Sequence, residues 1–291
     1  MPKVVGIGEI LWDVLPEGKQ LGGAPANFAY HVSRAGTDAA IVSAVGNDTL
    51  GDETFSLLAE KRMDCKYVKR VGFPTGQVNV TLDADGVPQY DICEGVAWDN
   101  IPFSDDVLCL ASECDAVCFG TLAQRNDVSR DSICRFLDAT PGQCMKILDV
   151  NLRQDYYSEK VLVESLKRAD VLKLNEEELP IVARLADVTS KGEAAICRSI
   201  MEKFALSIVI LTCGAKYSLA LTSDGQISRM NTPHVKVADT VGAGDAFTAA
   251  FAAAILKGCN LKEAHAKAVE TSAYICTCHG AMPEYGGFCR E

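Results

Sequence analysis

"DTVGAGDAF" (Asp239–Phe247) places an acidic residue directly after three small ones, where a hydrophobic helix begins. Asp245 is followed by Ala246, Phe247, Thr248 and an alanine-rich run to Ile255 and Leu256. These are strong helix formers, and the pattern stops near Gly258. Gly242-Ala243-Gly244 therefore lies at a helix N-terminus with little side-chain bulk. Unpaired backbone N–H groups and the positive end of the helix dipole make such a turn an anion site. A carboxylate beside an anion site is the arrangement of a base next to a phosphate.

Around this turn, short apolar runs alternate with helical patterns, which implies a mostly parallel sheet covered on both faces. Strands are expected at Lys3–Gly6, Ala40–Val45, Ala116–Phe119, Lys146–Asp149, Val171–Leu174, Ile208–Leu211 and Ser218–Thr222. Helices are expected at Asn27–Ala35, Asp52–Lys61, Ser129–Asp138, Ser158–Lys167 and Gly192–Phe204. Asn260 and Glu263 form a reciprocal cap before a last helix. One segment breaks the rhythm: "TGQVNVTLDADGVPQY" (Thr75–Tyr90) alternates apolar and polar residues, with a turn at Ala84-Asp85-Gly86. It reads as a β-hairpin inserted into an α/β body, with Ile10–Gln20 supplying a neighbouring strand. A small protruding sheet of this kind, about 10–20 and 75–97, is a natural lid over a cleft. No linker or repeat divides the chain, so residues 1–291 read as one α/β domain.

Composition narrows the function. The formal charge is −11, from 28 Lys and Arg against 39 Asp and Glu, a balance that disfavours nucleic acid and anionic membranes as partners. No run of about 18 apolar residues suggests a membrane span. The start, Met1-Pro2-Lys3-Val4-Val5, lacks a signal-peptide layout, so the expected location is cytoplasmic. The 13 cysteines have no framework spacing and read as reduced thiols. Cys276-Thr277-Cys278-His279 is the one cluster that hints at metal, and it lacks the second ligand pair a zinc site needs.

In open α/β sheets, ligands bind beyond the carboxyl ends of the strands. "ILDVNLR" ends in Asp149, Asn151 and Arg153; "LKLNEEE" ends in Asn175, with Glu178 three residues on; "VILTCG" ends in Thr212 and Gly214. Helix capping is the other reading of each, because Asn, Asp and Thr are good N-caps. Their recurrence along one edge, beside the turn at Gly242–Gly244, favours a site. A P-loop, protein-kinase signatures and a nucleophile elbow are missing, and Gly6-Ile7-Gly8 has Leu11 where a dinucleotide fingerprint needs glycine.

"GGAPANFAYHVSRAGTDAAIVSAVG" (Gly22–Gly46) and "DTVGAGDAF" resemble, in order and separation, the two signatures of the ribokinase-like (PfkB) carbohydrate kinases. "GEILWD", "GGAPAN", "AWD" (Ala97–Asp99), "GTLAQR" and "DVNLR" are most similar to fructokinases. Leu11 stands where ribokinase carries a sugar-binding Asn. The resemblance implies a three-layer α/β/α sandwich with a β lid, which transfers the γ-phosphoryl of ATP to a sugar hydroxyl with Mg²⁺, D-fructose being the leading acceptor. A 2-keto-3-deoxygluconate kinase, a ribokinase, a nucleoside kinase and a non-catalytic binder are the alternatives. It also implies that Asp245 is the catalytic base and that Gly242, Ala243 and Gly244 form the anion hole. Asp13, Gly22, Gly23, Asn27, Trp98 and Arg153 would meet the sugar. Asn175, Glu178, Thr212 and Gly214 would meet the nucleotide, with Glu178 reaching Mg²⁺ through water. Asp239, Val241 and Gly280 resemble the monovalent-cation (K⁺) site of some members. Tyr217 departs from the pattern, standing where many relatives have Gly. Relatives often dimerise through the lid, which implies a homodimer.

Overall fold

β1 (Lys3–Ile7) is buried on both faces: Val4 packs into one apolar core, Val5 and Ile7 into another. That is the environment of a central strand in a sheet covered by helices on either side. The computed structural model describes residues 1–15, 18–82 and 88–285. The turn expected at Ala84-Asp85-Gly86 lies outside them.

After β1 come β2 (Leu11–Leu15), β3 (Gly18–Gly22), α1 (Ala24–Arg34), β4 (Asp38–Gly46), α2 (Thr49–Glu60), β5 (Val68–Val71), β6 (Gly76–Leu82) and β7 (Pro88–Ile92). The middle of the chain forms α3 (Asp105–Glu113), β8 (Ala116–Phe119), α4 (Asp127–Ala139), β9 (Met145–Asp149), α5 (Glu159–Leu166), β10 (Val171–Asn175), α6 (Glu178–Leu185) and α7 (Glu193–Phe204). It ends with β11 (Ile208–Cys213), β12 (Tyr217–Thr222), β13 (Ile227–Asn231), α8 (Ala243–Leu256) and α9 (Leu261–Ile275).

The large sheet has the order β13-β12-β11-β10-β9-β8-β1-β4-β5. Its strands from β11 through β5 pair in parallel, while β12 and β13 add antiparallel neighbours at one edge. Residues of α1, α2, α8 and α9 fill the core on one face, and residues of α3 to α7 fill the core on the other. The three-layer α/β/α sandwich expected from the sequence is what forms. A second sheet, β3-β2-β6-β7, stands apart. The expected hairpin β6–β7 pairs antiparallel, and β2 pairs parallel with β6. Residues after Ile92 leave this sheet, and Ala97–Asn100 winds into a short 3-10 turn. Among the described residues, no helix is long and apolar enough to cross a membrane.

Helix starts are chemically marked. Ser158 caps α5 and Asn126 caps α4. Asn260 and Glu263 exchange the two bonds of a capping box at 3.0 and 3.1 Å. The small sheet follows β1 after only Gly8–Ile10, so it rises from the carboxyl edge of the large sheet. The site is built there.

Candidate active site

The helix α8 begins as its sequence requires. Gly242 is its N-cap in a left-handed conformation, φ +77°. A Cβ there would lie 2.8 Å from the Cα of Ala281, so the turn needs glycine for both its dihedral and its space. The first intrahelical bond runs from Ala246 N–H to the Gly242 carbonyl at 2.9 Å, which leaves earlier N–H groups outside the helix ladder. Ala243 N–H turns back onto the Thr240 carbonyl at 3.3 Å, a long bond. Gly242 and Gly244 are both reachable from solvent.

Asp245 sits in this first turn, half-buried, and its Oδ2 accepts a 2.8 Å hydrogen bond from Asn27 Nδ2. Burial, followed by the negative charge of Asp149, raises the Asp245 pKa to about 6. Asn27, Lys173 and Arg153 oppose that shift. Asn27 lies on α1, whose start is pressed against Glu9: a Cβ on Gly23 (φ +109°) would fall 2.4 Å from the Glu9 carbonyl oxygen. Asp13, on β2, is half-buried, and desolvation lifts its pKa to about 6 against the pull of Arg153. Asp13 Oδ2 lies 3.0 Å from where a Cβ on Gly22 would stand. Arg153 is exposed, and its charge acts on Asp13, Glu9 and Asp245 alike. Asp13, Gly22, Gly23, Asn27, Arg153 and Asp245 therefore share one locality at the strand ends.

Beside this locality lies a charge network. Lys173 Nζ donates to Asp149 Oδ1 at 3.0 Å, and Thr248 Oγ1 donates to Asp149 Oδ2 at 3.0 Å. Burial works against the Lys173 ammonium, yet Asp149, Glu178 and Asp245 together hold its pKa above the ordinary lysine value. Nζ is 3.2 Å from the position of a Cβ on Gly244, so this cation lies under the Gly242–Gly244 turn. Glu178 accepts from the backbone N–H of Leu152 at 2.9 Å and of Asn175 at 2.8 Å, and burial raises its pKa. Asn175 Oδ1 in turn accepts from Glu177 and Glu178 N–H at 2.9 and 2.8 Å, so the capping reading describes that oxygen. Thr212 faces Asn175 across the β10–β11 register, and Gly214 follows in an exposed turn. Tyr217 OH donates to Glu193, and the Arg229 guanidinium stacks 3.9 Å from the tyrosine ring centre.

Trp98 is placed elsewhere. It is fully buried, its indole fills the space over Gly76, and the Arg125 guanidinium covers its ring at 4.0 Å. Arg125 is itself held by Asp99 through bonds of 2.8 and 2.9 Å. The "AWD" and "GTLAQR" stretches thus form one buried structural clamp, and Trp98 offers no open ring face to a sugar. This corrects the expectation of a Trp98 contact.

Asp239, Val241 and Gly280 do come together. Asp239 Oδ1 accepts from Val241 N–H at 3.0 Å and Oδ2 from Gly280 N–H at 3.1 Å. Among the described residues, no group of three or more His, Cys, Asp or Glu could hold a metal, and this covers Cys276–His279. Glu178 is the carboxylate at this edge that would meet a divalent ion arriving with phosphate, and each of its oxygens already accepts one backbone amide.

Sequence reasoning missed Glu9 and Lys173 as site residues, and it gave Asp149 no role beyond that of a polar strand end. Each carried a signal: an ionisable residue inside an apolar run that forms a buried strand or its end. Glu9 is 2% exposed, and burial raises its pKa to about 7.

Residues 16–285 match the pfkB family of carbohydrate kinases. The chain is 31% identical over 272 residues to an uncharacterized sugar kinase of Pyrococcus horikoshii, covering 87% of this chain and 83% of that protein. The crystal structure of that protein in complex with ATP has a TM-score of 0.82 at 28% identity, covering 97% and 94% of the two chains. A fructokinase of Klebsiella pneumoniae is 29% identical over 266 residues, 87% of this chain and 84% of its own length. The fructokinase of Vibrio cholerae O395, solved with fructose, ADP and calcium ion bound, has a TM-score of 0.78 at 25% identity, covering 97% and 95%.

Proposed function

This chain belongs to the pfkB family of carbohydrate kinases, and we propose that it transfers the γ-phosphoryl group of ATP to D-fructose, giving fructose 6-phosphate. One observation carries the reading: the half-buried carboxylate of Asp245 occupies the same helical turn as the Gly242–Gly244 backbone and is hydrogen-bonded across the site to Asn27. The fructokinase relatives and the "GEILWD" and "DVNLR" stretches support fructose within the class.

Phosphoryl transfer depends on alignment and charge stabilisation. The N–H groups of the α8 turn are fixed in place and would hold the transferring oxygens without reorienting. Asp245 accepts the proton of the attacking hydroxyl, with a pKa near 6 that leaves it ionised at neutral pH. Asp13 and Asn27 grip other sugar hydroxyls, and Arg153 faces them from the β9–α5 loop. Asn175, Thr212 and Gly214 line the nucleotide side. Glu178 is the residue that would hold Mg²⁺ arriving with ATP, through water, and the ion would supply neutralisation of the phosphate charge. The small sheet closes as a lid and excludes water.

ADP release should be measured with Mg·ATP against fructose, fructose 6-phosphate, 2-keto-3-deoxygluconate, ribose and a nucleoside. Fructose is expected to give the highest kcat/KM. A different best acceptor removes fructose but keeps the kinase; no turnover with any sugar removes the kinase.

A further inference from the structure

Two buried oxygens in the Asp245 locality have no hydrogen-bond donor among the described residues: Glu9 Oε2 and Asn27 Oδ1. Their residues are 2% and 4% exposed, so bulk water does not serve them. Each orphaned acceptor is a standing cost to the fold. Both belong to the start of α1. The Glu9 carboxylate is drawn to the N–H of Ala24, the first helical residue, and Asn27 lies three residues on, along the same helix face. Side chains on a helix lean back towards its N-terminus, which carries the Asn27 amide towards Glu9.

The Asn27 amide has one constrained end. Nδ2 must face Asp245, since a flip would set Oδ1 against a carboxylate. Oδ1 then needs a donor, and Glu9 supplies one if its carboxyl carries a proton. We propose that Glu9 is a positioning residue: in its protonated form the carboxyl donates to Asn27 Oδ1, which locks the amide so that Nδ2 holds Asp245. One proton satisfies both orphaned oxygens. The charged and titratable groups around Glu9 agree. Burial raises its pKa to about 7 and the Asp245 charge on α8 adds to this, while backbone N–H groups and Arg153 oppose it. Cys118 on β8, itself held neutral by burial, adds no countercharge.

The role in turnover rests on the kinase reading above, but the proton does not, so the test has two arms. Protein labelled with ¹³C at the glutamate carboxyl is titrated by infrared spectroscopy between about pH 6 and 9, where ordinary glutamates are already ionised. The wild type should show a protonated-glutamate band that fades through about pH 7 and is missing from Glu9→Gln. In Asn27→Leu the band should shift, because its acceptor is gone. In the second arm, wild-type kcat for ADP release should fall on the alkaline side. Glu9→Gln donates at every pH and should lack that fall, while Glu9→Leu should lose kcat without a change in the KM for ATP. A wild type without the band, or a Glu9→Gln pH profile that overlays the wild type, overturns the proposal. A band without sugar turnover leaves the protonated Glu9 intact and sinks only the kinase.

Discussion

Asn27 and Asp245 lie 218 positions apart and meet through a 2.8 Å hydrogen bond that joins the first turns of α1 and α8. The two glycine-rich stretches thus meet at one place: in the proposed kinase, one helix start would present the anion turn and the base, and the other would hold that base in place.

Removing the base should separate chemistry from binding. Asp245→Asn keeps the shape of the turn but cannot accept the hydroxyl proton. The expected outcome is a kcat lower by about 10²–10⁴-fold with nucleotide affinity retained. Steady-state ADP release and calorimetric nucleotide titration check this pair of results. A variant with near-normal kcat would reject Asp245 as the base.

The pH profile follows from the raised carboxyl pKa. Asp245 works as the anion, so activity should be lost as pH falls through about 6 and protons fill the site. An acid limb in kcat/KM, which reports the free enzyme, is the expected form. Asp13 titrates in the same range, so the limb should be steeper than for one group. A profile flat down to about pH 4.5, where ordinary carboxylates titrate, contradicts the buried-base geometry.

Much of the fold was legible because its signals are local. β1, β8 and β10 are apolar runs, and the Asn260–Glu263 cap writes its own geometry. The start of α1 was read too late, at Asn27 and not Ala24, because Pro25 looks like a break although proline suits a first helical turn. The edge strand β13 escaped notice because its burial alternates weakly. In the site, Asp245 and Asn27 stood out through flanking glycines. Glu9 and Lys173 did not, because their meaning comes from partners on remote strands and helices. Trp98 reads equally well as core or as a sugar platform until Arg125 is seen covering its ring.

The Lys173–Asp149 pair should be unforgiving of half-measures. Both side chains are almost wholly buried, at 10% and 6% exposure. Lys173→Met leaves the Asp149 charge without its partner, and breaking such a buried pair costs about 3–5 kcal/mol. Adding Asp149→Leu removes the stranded charge and should recover much of that loss in a urea denaturation series. Additive destabilisation in the double variant would refute coupling.

Two glycines at opposite ends of α8 should behave differently. Gly242 and Gly258 both have positive φ, +77° and +83°. An added Cβ at Gly258 meets nothing within 4 Å, whereas at Gly242 it meets the Ala281 backbone. Gly258→Ala should cost about 1–3 kcal/mol in strain and leave turnover unchanged. Gly242→Ala should carry that strain and also displace the anion turn, weakening ATP binding and kcat together. Equal kinetic effects from the two would remove the special standing of the Gly242 turn.

The Asn27 bond itself makes the sharpest claim, since it sets the acidity of the base. A hydrogen bond donated to a carboxylate favours the charged form, and the Asn27 contact lowers the Asp245 pKa against the pull of burial. Asn27→Leu removes that donor while keeping the buried volume similar. The Asp245 pKa should then rise above about 6, so the acid limb of kcat/KM should move to higher pH as the maximum falls. A sugar contact alone would raise the KM for sugar and leave the limb in place. Measuring kcat/KM against pH for wild type and Asn27→Leu decides between them: an unmoved limb means that Asn27 serves the substrate and not the base.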